Sequence, residues 1–150
     1  MIVKWTNNTD DIRSILCHPD IYRCIAGDNC PSPDEFVIPL SGVKYHGCYL
    51  NNEIIGVMVY HVDGGKLWCH FQVLPEFRKD YALEFGKITL SEQLKRVDSI
   101  FAEIPICYQN VLRFAYISGF NEVGISDDPY VKDGKEYEVK ILRCDNGFCK

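Results

Sequence analysis

The stretch EFRKDYALEFG, residues 76–86, lies where a phosphate-binding turn is expected. It follows an alternating strand and Pro75 and opens a helical pattern, so the N–H groups at the helix start could hold a phosphate. Glycine usually lets the backbone approach such a ligand, yet the first glycine here is Gly86, well inside the helical stretch. The stretch is therefore either a modified phosphate cradle or the first turns of an amphipathic helix that caps a sheet.

Cysteine is the second residue type that could do chemistry, because the chain has eight cysteines in 150 residues. None forms the Cys-x-x-Cys pair that is typical of structural zinc sites. The loose metal candidates are Cys17, His18, Cys24 and Cys30 and, more weakly, Cys144 with Cys149. We expect no metal site and, without an export signal, no disulfides; the thiols should be mostly buried.

Two cysteines are weak candidates for a nucleophile. Cys107 comes shortly before a predicted helix, and Cys69 precedes His70. A reactive thiol needs a base or a helix N-terminus that lowers its pKa. We favour burial in an apolar environment for both cysteines.

Composition limits the possible functions. Hydrophobic residues make up 47% and charged residues 25%, as in ordinary globular domains, and one domain over residues 1–150 is expected. The net charge of −5 argues against non-specific nucleic-acid binding. We read the interrupted basic cluster Lys132, Lys135, Lys140 and Arg143 as a solvated hairpin face.

No apolar run approaches the roughly 20 residues of a membrane span. With no signal peptide, a cytoplasmic location without membrane contact is expected.

Hydrophobic periodicity predicts the first half of the fold. MIVKWTN reads as a strand, and a helix with its N-cap at Asn8 or Thr9 should run to His18. A second short helix is predicted over residues 20–26, followed by a loop over residues 27–42. VKYHGCYL, EIIGVMVYHV and KLWCHFQVL then predict three antiparallel strands joined by short turns, with the second strand central in the sheet.

The second half alternates helices and strands. A helix is predicted over residues 77–96, then a strand at SIFAEIP, a helix from about Asn110 to a C-cap at Gly119, and a strand at FNEVGIS. YVKDGKEYEVKILR predicts a hairpin with an Asp-Gly turn, which could offer an edge strand to a partner, and CDNGFCK a frayed tail. The order indicates an α+β fold: a mixed, mostly antiparallel sheet with helices on both faces.

This order and several motifs resemble the GNAT superfamily of N-acetyltransferases over nearly the whole chain. FQVLPEFRK is similar to the family's fourth strand and its Val-x-Pro-x-aromatic-Arg entry into the CoA loop. NVLRFAYISGFNEVG is similar to the helix and strand around Gly-Phe, here Gly119 and Phe120. The resemblance implies a GNAT-like three-layer fold. Short proteins of this kind encoded by tailed bacteriophages, some of them virion-assembly or internal proteins, are also similar.

The resemblance implies an acyl-CoA-dependent N-acetyltransferase that uses acetyl-CoA. Family loops read Gln/Arg-x-x-Gly-x-Gly/Ala and hold the pyrophosphate; with Arg78 in first place, Tyr81 and Leu83 occupy the glycine positions, so the loop is degenerate. The cofactor-binding residues carried over from the family are Val73, Arg78, Lys79, Asp80, Tyr81, Ala82, Leu83 and Asn110.

The resemblance also implies an acid–base pair. The fourth-strand base would be His70. Its side chain should point to the opposite face of the strand from Val73, unless a bulge intervenes. The usual acid tyrosine falls on Ala115, which leaves the adjacent Tyr116 as the candidate. Two main hypotheses stay open: an enzyme with an amine acceptor, or an inert GNAT-like protein that binds a protein partner, such as a phage virion-assembly or host-interaction factor. A third, a zinc-stabilised binding module that uses Cys17, Cys24 and Cys30, rests on the number of cysteines alone.

Overall fold

The computed structural model describes residues 1–146, and these form nine strands and four α-helices. The strands are β1 (Ile2–Thr6), β2 (Val43–Leu50), β3 (Glu53–Asp63), β4 (Lys66–Val73), β5 (Ser99–Pro105), β6 (Asn121–Ile125), β7 (Tyr130–Lys132), β8 (Lys135–Tyr137) and β9 (Val139–Asp145). The helices are α1 (Thr9–Leu16), α2 (Pro19–Ile25), α3 (Leu83–Gln93) and α4 (Gln109–Ile117).

Seven strands form one mixed sheet in the order β1-β2-β3-β4-β5-β9-β6, and β7 and β8 form a separate two-stranded ribbon. Among the described strands, only the β4–β5 pair is parallel; the other pairs in the sheet are antiparallel. We call the sheet face covered by α1 and α2 the front face, and the face covered by α3 and α4 the rear face. The predicted α+β class with helices on both faces is confirmed.

Each face has its own apolar core. On the front face, Ile12, Ile15 and Ile21 of the two helices pack against Val57 and Val59 of β3. The larger rear core joins both helices to the sheet, and its fully buried members include Cys48, Phe85, Leu90, Ile100 and Leu142. Strand β3 contributes to both cores, which confirms its predicted central position.

Local signals determine where several helices begin and end. The Asn8 carboxamide oxygen accepts hydrogen bonds from the N–H groups of Asp10 and Asp11, so Asn8 is the N-cap of α1. After α4, Gly119 has φ +104°, the left-handed conformation that favours glycine at a helix end. Both caps confirm the sequence prediction.

The C-terminal part differs from the single predicted hairpin. Tyr130–Lys132 and Lys135–Tyr137 do form a hairpin around the Asp133-Gly134 turn. The following strand β9 instead inserts between β5 and β6, where Leu142 and Cys144 pack into the rear core. β9 is therefore no free edge, and the predicted frayed tail is wrong for Cys144 and Asp145. Residues 147–150, including Cys149, lie outside the described part of the chain.

The expectation that the thiols are mostly buried is also wrong. Cys48, Cys69 and Cys144 are buried, but Cys24, Cys30 and Cys107 are exposed and Cys17 is half-buried. The exposed thiols lie in α2, in the loop that follows it and in the β5–α4 turn.

Candidate functional site

A gap opens between the two parallel strands of the sheet. β4 and β5 pair only at Leu67 with Ile100 and at Trp68 with Phe101, although β4 continues to Val73 and β5 to Pro105. Beyond Trp68 the two strands therefore separate, and a wedge opens toward their carboxyl ends.

The gap exposes polar groups of the β4 backbone. The N–H of Leu74 donates to the carbonyl of Ile55 at 2.9 Å, so the peptide groups of even-numbered β4 residues point toward β3. By alternation, the N–H and C=O groups of Phe71 and Val73 point into the gap, and no strand within residues 1–146 pairs with them there. An extended ligand carrying amide groups could hydrogen-bond along this edge.

One of these backbone groups already has a partner. The Nε–H of Arg78 donates to the Val73 carbonyl at 2.9 Å. This hydrogen bond holds the Arg78 guanidinium at the wide end of the gap. Because guanidinium carries further N–H donors, the group can also attract an anion at this position.

The segment after β4 is helical throughout, and its helical start lies two residues earlier than predicted. Pro75–Phe77 form a 3-10 turn and Arg78–Ala82 a π-helical turn, which lead directly into α3. Within residues 1–146, positive φ angles outside glycine occur only at Asn51, Asn52 and Asp133, so this turn contains no left-handed residue. An anion would meet a wide helix N-terminus here, not a glycine-built nest.

The two bulky residues at the family's glycine positions point in different directions. The Tyr81 ring packs against Phe77, with centroids 6.2 Å apart, at the border of the rear core. Leu83 is 39% exposed. Of these two side chains, Leu83 is therefore the one that projects into solvent beside the turn.

The other predicted cofactor residues lie around the same gap. Val73 is buried at the end of β4, Lys79 and Asp80 are exposed on the turn, and Ala82 is buried beneath it. Asn110 is exposed in the first turn of α4, after β5. Because β4 and β5 are parallel, their carboxyl ends lie at the same edge of the sheet, with the Arg78 turn after one and Asn110 after the other.

His70 lies on the front face, opposite to Val73. The β3–β4 register runs without a shift, so the bulge considered for β4 does not occur. His70 keeps part of its surface exposed, but its imidazole stacks on His61, with centroids 5.4 Å apart and planes 5° apart. The surrounding protein desolvates the ring and, with a smaller effect from His61, lowers the pKa of His70 to about 4. The imidazole is therefore neutral at pH 7, although the lowered pKa makes it a weaker base than an ordinary histidine.

Tyr116 is not close to His70. It lies on α4 over the rear face and is 44% exposed. Ala115, at the family's tyrosine position, is buried. The structure thus separates the two predicted acid–base residues, because a one-residue step on a helix turns the side chain by about 100°.

Sequence reasoning missed several front-face residues near the gap. The side chains of Phe101 and Glu103, two residues apart on β5, both point to the front face. Extending the β4–β5 register places Glu103 level with His70. Trp68 packs on Phe101, with ring centroids 5.4 Å apart. The alternation in SIFAEIP contains this signal, but its use requires the β4–β5 register.

A second polar cluster lies away from the gap, buried under α3. The Thr89 hydroxyl lies 2.5 Å from His46 Nδ1 and 2.8 Å from the Tyr60 hydroxyl. The Trp5 ring packs on the His46 ring at a tilt of 31°, with ring centroids 3.5 Å apart. Burial lowers the pKa of His46, an effect that the Glu92 carboxylate partly opposes. We interpret this cluster as a structural link between α3 and the sheet.

Features outside the gap bear on the predicted function classes. A hollow of about 850 Å³ lies beside β1, lined by Lys4, Trp5 and Arg96 among others, three strands away from β4. Residues 1–146 contain no group of three His, Cys, Asp or Glu side chains that could hold a metal ion, and none of their helices is long and apolar enough to cross a membrane.

Comparisons with known proteins give a consistent fold. No family model and no curated protein matches the chain. The spermidine N-acetyltransferase of Vibrio cholerae in complex with CoA and spermine is similar with a TM-score of 0.73 and 13% identity, covering 99% of this chain and 96% of that chain.

Two other solved structures are similar over nearly their whole length. An N-acetyltransferase of Staphylococcus aureus has a TM-score of 0.74 and 12% identity, covering 97% of this chain and 98% of that chain. The ribosomal-protein-alanine N-acetyltransferase of Brucella melitensis has a TM-score of 0.71 and 12% identity, covering 97% and 99%. The chain has the fold of the GNAT N-acetyltransferases.

Proposed function

We propose that the protein is an acyl-CoA-dependent N-acetyltransferase that uses acetyl-CoA. The observation that carries this proposal is the β4 edge in the gap, where the N–H of Val73 and both polar groups of Phe71 have no strand partner among residues 1–146. The pantetheine arm of CoA is an extended chain with two amide groups. Hydrogen bonds along the strand would satisfy both the ligand and the exposed backbone.

The carboxyl end of the gap suits the phosphates of the same cofactor. Helix N-terminal N–H groups carry partial positive charge, and Arg78 and Lys79 add two cations to the turn. Asp80 and Glu84 oppose them, so we expect modest attraction. Asn110 provides a polar side chain across the gap.

The chain's own residues would handle the acceptor from the front face. Acetyl-CoA would supply the activated acetyl thioester. On attack, the C–N bond would form as the C–S bond of the thioester breaks, and the proton that the nitrogen then loses would go to the departing CoA thiolate. Before that step, the Glu103 carboxylate would attract the ammonium form of the amine, and neutral His70 would take one of its protons to expose the attacking lone pair. His70 could pass this proton to solvent through its exposed edge. Tyr116 has no role in this scheme, because it lies on the rear face.

A second candidate is an inert GNAT-like protein that acts through a protein partner, for instance as a phage virion-assembly or host-interaction factor. Three features favour it: side chains at both glycine positions, Tyr81 and Leu83, and no hydroxyl at Ala115. In this alternative the gap is a remnant of the fold, and acetyl-CoA does not bind.

Thiol release distinguishes these candidates. Incubation with acetyl-CoA and a panel of primary amines should liberate CoA thiol in an amine-dependent reaction, and His70→Gln should lower kcat with little effect on acetyl-CoA binding. His61→Gln is the comparison variant: it removes the stacked ring but keeps His70, so kcat should fall less than in His70→Gln. No amine-dependent thiol release, together with no binding of acetyl-CoA, would support the inert protein.

A further inference from the structure

A row of aromatic rings crosses the front face next to the gap. The strand registers align His61 with Trp68, Trp68 with Phe101, and Phe101 with Arg143. The rings of His61, Trp68 and Phe101 are each half-buried, so each ring presents part of its surface to solvent. We call these three residues the aromatic row.

The row is held in place by its neighbours. The Trp68 Nε1–H donates to the Asp63 carbonyl at 3.2 Å, which fixes the indole. Phe101 packs on the indole with a 44° angle between the planes, and His61 stacks on His70. A ligand ring would therefore meet a surface that is already ordered, which lowers the entropic cost of binding.

The next row along the strands contains the polar groups at the narrow end of the gap. His70 follows Trp68 by two residues, and Glu103 follows Phe101 by two residues, on the same face. Two residues of a strand span about 7 Å. A ligand with its ring on the aromatic row and its nitrogen between His70 and Glu103 thus needs a linker of two or three carbons.

We propose that the acceptor is an arylalkylamine, with its ring on the aromatic row and its amine at Glu103 and His70. This inference rests on the proposed function for the transfer step, but the binding of the amine can be tested separately. Stacking and edge contacts between rings favour an aromatic ligand beyond its buried area.

One side chain competes for the row. The Lys66 ammonium lies 4.9 Å from the Phe101 centroid, so a cation already occupies that ring face. A polyamine that extends along the row would bring a second positive charge toward Lys66. We therefore expect a monoamine with a ring to bind better than spermidine, and Lys66→Ala should not weaken the binding of the ring.

The experiment compares 2-phenylethylamine with 2-cyclohexylethylamine, which has a similar size without a π system. Calorimetry of both amines, with and without CoA, should give about threefold to tenfold tighter binding of the phenyl compound. In a Trp5→Phe background, Trp68 is the single tryptophan, and its fluorescence should respond to 2-phenylethylamine. Phe101→Leu should abolish the preference for phenyl, and Glu103→Gln should weaken both amines.

Each result has one interpretation. Equal binding of the two amines, tighter binding of spermidine, or an unchanged preference in Phe101→Leu would overturn the inference. If acetyl-CoA binds and releases thiol with other amines while arylalkylamines do not bind, the proposed function stands and this inference fails. If 2-phenylethylamine binds with the expected preference but acetyl-CoA does not, the ring site stands and the transferase proposal fails.

Discussion

Trp68 and Phe101 form the last paired position of β4 and β5, and their rings pack with centroids 5.4 Å apart. On one side of this pair the strands are joined, and on the other side they part and leave the β4 edge open. The pair thus marks the narrow end of the proposed cofactor gap. The next front-facing residues beyond it are His70 on β4 and Glu103 on β5.

The β4 backbone should contribute directly to acetyl-CoA binding. Val73→Pro removes an N–H that points into the gap but leaves the hydrogen bonds to β3, because Val73 is not a donor to that strand. Val73→Ala is the matched control, since it also loses buried packing but keeps the N–H. One lost hydrogen bond of about 1 kcal/mol corresponds to roughly fivefold weaker binding by calorimetry. Equal affinity in the two variants would exclude a hydrogen bond from this N–H.

The two glycine-position side chains should behave differently. Leu83 projects into solvent, so Leu83→Gly should tighten acetyl-CoA binding by opening the turn. Tyr81 packs on Phe77, so Tyr81→Gly should chiefly lower stability, by about 2–4 kcal/mol from the lost packing and the added backbone freedom. Calorimetry and denaturant unfolding of both variants measure these effects. The reverse pattern, with tighter binding only in Tyr81→Gly, would show that the inward placement of Tyr81 is incorrect.

Thr89 should be important for stability and not for activity. Thr89→Val keeps the shape but leaves the buried His46 nitrogen and Tyr60 hydroxyl without their shared partner. Each buried polar group without a partner costs about 1–3 kcal/mol, so the unfolding midpoint in urea should fall clearly. Thr89→Ser retains the hydroxyl and should lose much less. Equal losses in the two variants would mean that the methyl group, and not the hydroxyl, matters.

Stability should decrease in mild acid. The folded-state pKa values of His46 and His70 are lowered from the ordinary value near 6.5. Below pH 6.5 the unfolded chain therefore binds more protons than the folded chain, and the free energy of unfolding falls as the pH drops toward the folded-state values. His70→Gln should reduce this slope between pH 6.5 and about 4, the pKa of folded His70. An unchanged slope would indicate that the His70 pKa is ordinary in the folded protein.

Much of the architecture could be predicted because its signals are local. The Asn8 cap, the Gly119 C-cap and the short turns between β2, β3 and β4 each depend on a few adjacent residues. The insertion of β9 beside β5 could not be predicted in this way. It pairs residues such as Ile100 and Cys144, which are far apart in the chain, and no short-range pattern specifies that partner.

The candidate site was predicted less completely than the fold. Its cofactor side followed from the motif around Val73 and Arg78, which the structure places at the gap. The acceptor side depends on which strands lie next to each other, so Glu103 and Phe101 could not be assigned from spacing alone. The phase of Tyr116 could not be fixed from the sequence either, because it depends on how α4 packs; the structure places Tyr116 on the helix over the rear face, whereas His70 lies on the front face.

The central claim is that the β4–β5 gap holds acetyl-CoA, and thermal unfolding tests it most directly. A ligand that binds only the folded protein raises its stability in proportion to the logarithm of the ligand concentration. We predict that millimolar acetyl-CoA raises the unfolding midpoint of the unmodified protein, and that the rise is smaller in Val73→Pro than in Val73→Ala. No shift in the unmodified protein, with a shift appearing in Tyr81→Gly/Leu83→Gly, would contradict the account and show that these side chains close the cofactor site.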